Sequence, residues 1–200
     1  MRVTRPIRNS VAGQARRTQI VAATLELIAE SGYPSATFAR IAERAGLSST
    51  RLISYHFTDK SALMDACVEH VVGLLGAAVG RRVRAGTTAR GRLAAYINGV
   101  VEFSDNHRTS MAALLQILLS GAWSSALGTE PAAGHLEAIL TGGQLNGELR
   151  AFDVQVVAAT IQRAVEGLPF RLASEPGLDC TAWGRELVEL VDRGVRADPT

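Results

Sequence analysis

Cysteine is almost absent: Cys67 and Cys180 are the two in 200 residues, with no CxxC spacing between them. That count argues against a disulfide framework or a thiolate metal centre, and two buried thiols in a reducing compartment are the expectation. Histidine is as sparse. His56, His70, His107 and His135 are scattered, no serine stands in a GxSxG turn, and no His/Asp/Glu group has metal-ligand spacing. No catalytic residue, metal or cofactor is therefore expected. GxGxxG and Walker patterns are also missing, which argues against a phosphate-cradling loop. The N-terminus has arginines but no apolar core of a leader, and the longest uncharged apolar stretch, Val71 to Gly80, is too short and glycine-rich to cross a bilayer. A cytoplasmic protein with no membrane partner follows as the expectation.

What is present is apolar surface and an uneven charge. A 47% share of hydrophobic residues is ample for a buried core. The formal charge of +2 hides nine basic against four acidic side chains in residues 1–60, a balance of +5 that leaves −3 on the remainder. A basic head on a mildly acidic body suits a polyanion-binding module joined to a part that does not bind nucleic acid.

Within that head, residues 37–60 form two short helical patterns around a turn. Thr37 offers a hydroxyl to cap a helix start, and Phe38, Ile41, Ala42 and Ala45 recur at helical spacing. Gly46 follows, where a residue without a β-carbon can take the left-handed conformation that ends a helix. Ser48 then offers a second cap for a helix through Tyr55, with a polar first turn and an apolar far side. Such a helix suits the major groove, where Ser49, Thr50 and Arg51 would meet base edges. Tyr55, His56 and Lys60 would hold phosphates. Asp59 or Thr58 would cap the next helix. On periodicity alone, an ordinary helical hairpin with solvated arginines fits equally well.

Thr37, Ile41-Ala42, Ala45-Gly46-Leu47-Ser48, Tyr55-His56-Phe57, Lys60 and Leu63 together resemble the N-terminal signature of TetR/AcrR-type transcriptional regulators. The resemblance implies an all-α fold: a three-helix, helix-turn-helix DNA-binding domain over 14–59, and a larger helical bundle for effector binding and dimerisation over 60–200. It implies a repressor released from an inverted-repeat DNA operator by a small molecule, with Thr37, Ser48, Ser49, Thr50, Arg51, Tyr55, His56 and Lys60 at the DNA. One departure falls on the base-reading positions. The stretch from Ala45-Gly46 to His56-Phe57 is one residue longer than the commonest family spacing. A helical protein-interaction module that no longer binds an operator is the alternative.

Residues 1–13 are expected as a basic arm and Gln14 to Ser31 as the first helix. A long helix from Lys60 to about Arg84 carries Gly73, Gly76 and Gly80, which either permit close packing or make a pliable connector. Arg81 to Ala89 is expected as a loop, with helices at about 90–105, 108–121, 135–142, 153–167 and 181–196. A loop over 120–134 would be anchored by Trp123. Asp153 would cap the helix that follows it, a bend that also resembles the regulator family. The last two long helices carry in-phase apolar stripes, and the resemblance implies that they pair with a second subunit as a homodimer. Polar or aromatic residues inside apolar stretches are the candidates to line an effector cavity: Tyr96, Asn98, Phe103, His107, Gln116, Trp123, Gln162, Arg163, Glu166 and Phe170. The aliphatic residues around them imply a largely apolar ligand.

Overall fold

The computed structural model describes residues 11–123 and 130–197, and the regular elements among them are helices. In chain order these are α1 (Val11–Ser31), α2 (Phe38–Arg44), α3 (Arg51–His56), α4 (Lys60–Ala85), α5 (Ala89–Asn106), α6 (Arg108–Ser120), α7 (Glu130–Leu145), α8 (Val154–Glu166), α9 (Leu168–Ser174) and α10 (Cys180–Val195). A 3-10 turn, Tyr33–Ser35, separates α1 from α2, and one isolated antiparallel bridge joins Leu149 to Arg196. The chain divides into two compact units. One runs to Val72 and includes the segment beginning at Thr109; the other holds Gly73–Arg108 and the C-terminal part.

In the first unit α1 buries Ile20, Val21, Leu25, Leu27 and Ile28. Val11 to Gly13 of the expected arm belong to this helix, and the rest of the arm lies outside the described residues. Gly32, at φ +84, ends α1 in the conformation that glycine takes without strain. Its neighbourhood is held by α6: Gln116 Nε2 donates to Ile28 O at 3.1 Å, and Tyr33 N donates to Gln116 Oε1 at 3.0 Å. The start of α4 buries Leu63, Met64, Cys67 and Val71. By length and composition α4 could cross a membrane, but those side chains are occupied in a protein core. Burial pushes the Cys67 thiol up to about 12, which leaves it an unreactive core residue.

Helix α4 continues through Gly73, Gly76 and Gly80. A β-carbon at Gly73 or Gly76 would meet nothing within 4 Å among the described residues, so close packing against them does not explain those two glycines. The expected loop at Arg81 shrinks to Gly86–Thr88. Arg82 and Arg84 in the last turn of α4 complement the negative end of the helix dipole, which favours continuing the helix to Ala85. Thr88 then caps α5 by accepting from Gly91 N at 3.0 Å.

The core of the second unit collects Leu93, Ile97 and Val100 of α5, Leu136 and Leu140 of α7, and Ala158, Ile161 and Val165 of α8. Helix α7 runs beyond the expected 135–142, through Gly142 and Gly143. Gly143 is there for space: a β-carbon would come within 2.5 Å of Leu149 Cδ1 and 2.7 Å of Ala89 Cβ. Asp153 caps α8 through Gln155 N and Val156 N, and Asp179 caps α10 through Ala182 N. Helix α9, absent from the sequence expectation, starts directly after Gly167 with Pro169 in its first turn.

Arg90 joins α5 to α10 by a two-point contact with Asp192, Nε–Oδ1 2.6 Å and Nη2–Oδ2 2.7 Å. The hydrogen-bonded guanidinium holds the Asp192 carboxyl below its ordinary value. A lowered carboxylate pKa stabilises fully above the unfolded value of about 3.9. The contribution is lost as pH falls through the folded value. Asp192→Asn should therefore cost up to about 1 kcal/mol at pH 7, since the pair is partly solvated. Thermal melts at pH 7 and in acid check this: the gap between wild type and variant should close as the pH drops, and a pH-independent gap would assign it to packing.

Candidate nucleic-acid interface

Thr37 opens α2 by accepting a hydrogen bond from Arg40 N at 3.4 Å, while Ile41 and Ala42 turn inward. Gly46, at φ +63, reverses the chain, and Leu47 N returns to Ala42 O at 2.8 Å. The next helix begins later than the sequence implied. Thr50 holds the N-cap position of α3 without a side-chain bond, and Ser49 Oγ accepts from Arg51 N at 3.1 Å. Ser48, expected as the cap, is exposed in the bend before it. The first helical residue is therefore Arg51.

One face of α3 is fixed. Ile53 is fully buried and Phe57, just past the helix, nearly so. Two side chains of α1 hold the carbonyl ends of the helix pair, where backbone acceptors lack intrahelical donors. Gln19 Nε2 donates to Ala45 O at 2.6 Å, and Arg17 Nη1 donates to His56 O at 3.3 Å. The Arg17 guanidinium also lies 4.4 Å from the Phe57 ring centroid, a cation–π contact. Arg44 is neutralised by Glu30 through two hydrogen bonds, with Glu26 nearby, and the contact lowers the Glu30 carboxyl's pKa. Arg40 Nη2 donates to Ser31 Oγ.

The opposite face is left outward. Ser48, Thr50, Arg51 and Ser54 are exposed, and the Arg51 guanidinium has no ion-pair or hydrogen-bond partner among the described residues. Tyr55 is 42% exposed, its ring set edge-on to the half-buried His56 imidazole at 5.2 Å. Asp59 caps α4 by accepting from Ala62 N at 2.8 Å. Lys60 does not stand free at that helix start. Its ammonium lies 4.1 Å from the Tyr33 ring centroid and donates to Tyr33 O at 3.4 Å, and burial lowers its pKa.

The residues considered for an effector separate into several groups. Tyr96 and Gln162 are buried and bonded, Tyr96 Oη to Gln162 Oε1 at 2.5 Å, and Gln162 Nε2 continues to Glu166 Oε1 at 2.5 Å. Arg163 closes the chain on Glu166 at 2.8 Å. Burial, then the Glu166 charge, pushes the Tyr96 hydroxyl up to about 12, so it remains a donor at neutral pH. Phe103 and His107 stack with ring centroids 4.2 Å apart. Gln116 and Trp123 fall in the first unit, Gln116 bonded to backbone, and Phe170 on α9 is 51% exposed. The sequence alone does not show the partners of Gln19 and Arg17, because these lie 26 and 39 residues away. Among the described residues no three His, Cys, Asp or Glu side chains gather where a metal could be held.

Residues 20–67 match the family model described as bacterial regulatory proteins, tetR family. The HTH-type transcriptional regulator BetI of Cronobacter sakazakii is 30% identical over 167 residues, 79% of this chain and 79% of its own. BetI of Burkholderia mallei is 33% identical over 156 residues, 78% of this chain and 76% of its own. Among solved structures, a tetR-family regulatory protein from Rhodococcus RHA1 superposes with a TM-score of 0.78 at 23% identity, covering 92% of this chain and 98% of that one. The regulator FadR of Bacillus subtilis, solved in complex with stearoyl-CoA, gives 0.70 at 20% identity, covering 88% and 98%. These two likenesses concern the fold.

Proposed function

The chain belongs to the tetR family of bacterial regulatory proteins, which are DNA-binding transcriptional regulators, and we propose that it is a homodimeric repressor released from an inverted-repeat operator by a small, largely apolar effector. The observation that carries the reading is the division of α3 into a clamped inner face and an outer row of polar side chains that includes Arg51, which has no partner among the described residues. In the major groove Arg51 would pair bidentately with guanine, while Ser49 and Thr50 exchange hydrogen bonds with base edges. Tyr55, His56 and Lys60 would position the head on the backbone, with Thr37 at the start of α2 and Ser48 in the exposed bend before α3 approaching it.

Val156 of α8 and Leu190 of α10 are 62% and 70% exposed, which supports pairing of these helices with a second copy. A two-fold dimer places two reading helices in grooves about one helical turn or a multiple apart, hence the inverted repeat. The work of such a regulator lies with the chromosome, in the cytoplasm. Release needs a coupling of about 1–3 kcal/mol between effector and operator. The unpacked Gly73 and Gly76 make α4 pliable enough to transmit it.

Binding to the protein's own upstream DNA, measured at several salt concentrations, tests the reading. Arg51→Ala should cost about 1–3 kcal/mol on the preferred site and relax its sequence preference. Lys60→Met, which removes the charge and keeps a long unbranched side chain, should weaken all duplexes alike and reduce the salt slope by about one. If wild type binds duplex DNA without preference, and a genome-wide selection of bound fragments enriches no inverted repeat, the repressor reading fails.

A further inference from the structure

Between Arg81 and Arg92 the sequence places five arginines and no acid. The fold treats them unequally. Arg82 pairs with Glu102 and Arg90 with Asp192. Arg84 and Arg92 have no carboxylate in ion-pairing reach among the described residues, and these two line an open cleft of about 300 Å³ in the second unit. Val83, His135, Ala138 and Ile139 complete its wall, so α4, α5 and α7 each contribute. The volume stands at the lower end of the range for small-molecule sites, which are typically apolar with a few placed polar groups.

The Arg92 guanidinium is held in place by a backbone carbonyl. Arg92 Nε donates to Gly86 O at 2.9 Å, which fixes the plane of the group and leaves its terminal nitrogens for another acceptor. Gly86 makes this possible, because a β-carbon there would come within 2.8 Å of Arg92 Cγ and 3.2 Å of Arg92 N. Arg84 lies back along its own helix, over Gly80, with Nη1 3.1 Å from where a β-carbon would stand. Two cationic forks suit the bidentate recognition of carboxylate or phosphate. Val83, Ala138 and Ile139 offer nothing to an inorganic anion but can take up hydrocarbon.

We propose that this cleft binds a small amphipathic organic anion, its carboxylate or phosphate held by Arg84 and Arg92 and its short hydrocarbon body by Val83, Ala138 and Ile139. Identifying that anion with the effector rests on the repressor reading above; binding in the cleft does not.

Calorimetric titration of the full chain with sodium octanoate, octyl phosphate, 1-octanol and sodium phosphate separates head from body. At least one octyl anion should bind, with the alcohol and inorganic phosphate at least tenfold weaker. Arg84→Gln combined with Arg92→Gln should cost the anion at least tenfold, and Arg84→Lys with Arg92→Lys less than that. Both side chains are exposed, so melting temperatures should match wild type and certify the folds. Equal affinity for octanol and octanoate, undiminished binding to the double glutamine variant, or no binding of either octyl anion overturns the proposal. A mobility shift on operator DNA with and without the bound octyl anion then addresses its role. Release from wild type but not from the glutamine variant makes the anion the effector. Binding without release keeps the cleft and removes that role. Failure to bind any operator, with octanoate binding intact, counts against the repressor reading alone.

Discussion

Leu190→Glu should yield a monomer that no longer holds a two-half-site operator at working concentrations. Leu190 is 70% exposed on α10, so a charge there costs the isolated protomer little, whereas in a paired α8–α10 interface it would be buried without a partner. Losing the second head removes the effective concentration that tethering provides, a factor of about 10² to 10⁴. Sedimentation should report half the wild-type mass, and a single half-site should still be bound with the weak affinity of one head. An unchanged mass would place the subunit interface away from α10.

The second large effect is on stability. Phe57 is 1% exposed, packs behind α3 and carries the Arg17 guanidinium on its ring. Phe57→Ala should destabilise the first unit by about 3–5 kcal/mol, the usual cost of emptying a buried aromatic site. Arg17 would lose its platform as well, and with it the contact that closes the end of α3. Denaturant unfolding followed by helical circular dichroism measures the loss. Phe57→Leu should recover a good part of it, and a loss below about 1 kcal/mol would mean that the site collapses to fill the space.

Local chemistry was legible in the sequence. Thr37, Gly46, Asp59 and Asp153 each mark a helix boundary through a bond or a backbone angle that spans only a few residues, and the structure uses them so. The start of α3 was not legible because Ser48, Ser49 and Thr50 can all cap a helix. In the structure Thr50 takes the cap position without a side-chain bond, and Ser49 accepts from Arg51 N beside it. Helix α9 was hidden behind Gly167 and Pro169, which look like a stop, although proline is at home in the first turn of a helix, where its missing N–H costs nothing. The partners of Gln19, Arg17 and Gln116 were out of reach, since each is brought in by packing across 26 to 88 residues. The same limit applies to the cleft. The arginine run was visible as composition, but Arg82 and Arg90 are neutralised by Glu102 and Asp192, placed by other helices, and of the three others it is Arg84 and Arg92 that line the cleft.

The two α1 side chains that hold Ala45 O and His56 O have a consequence for how such a head can change. Because the seating of α3 depends on Ile53, Phe57, Gln19 and Arg17, the fold places little demand on Ser48, Thr50, Arg51 or Ser54. Those outer positions can be exchanged one at a time while the helix stays where it is. Preference for a new DNA sequence is thus reachable through a series of folded intermediates, and a library confined to these four positions is a practical starting point for redirecting the protein to another site.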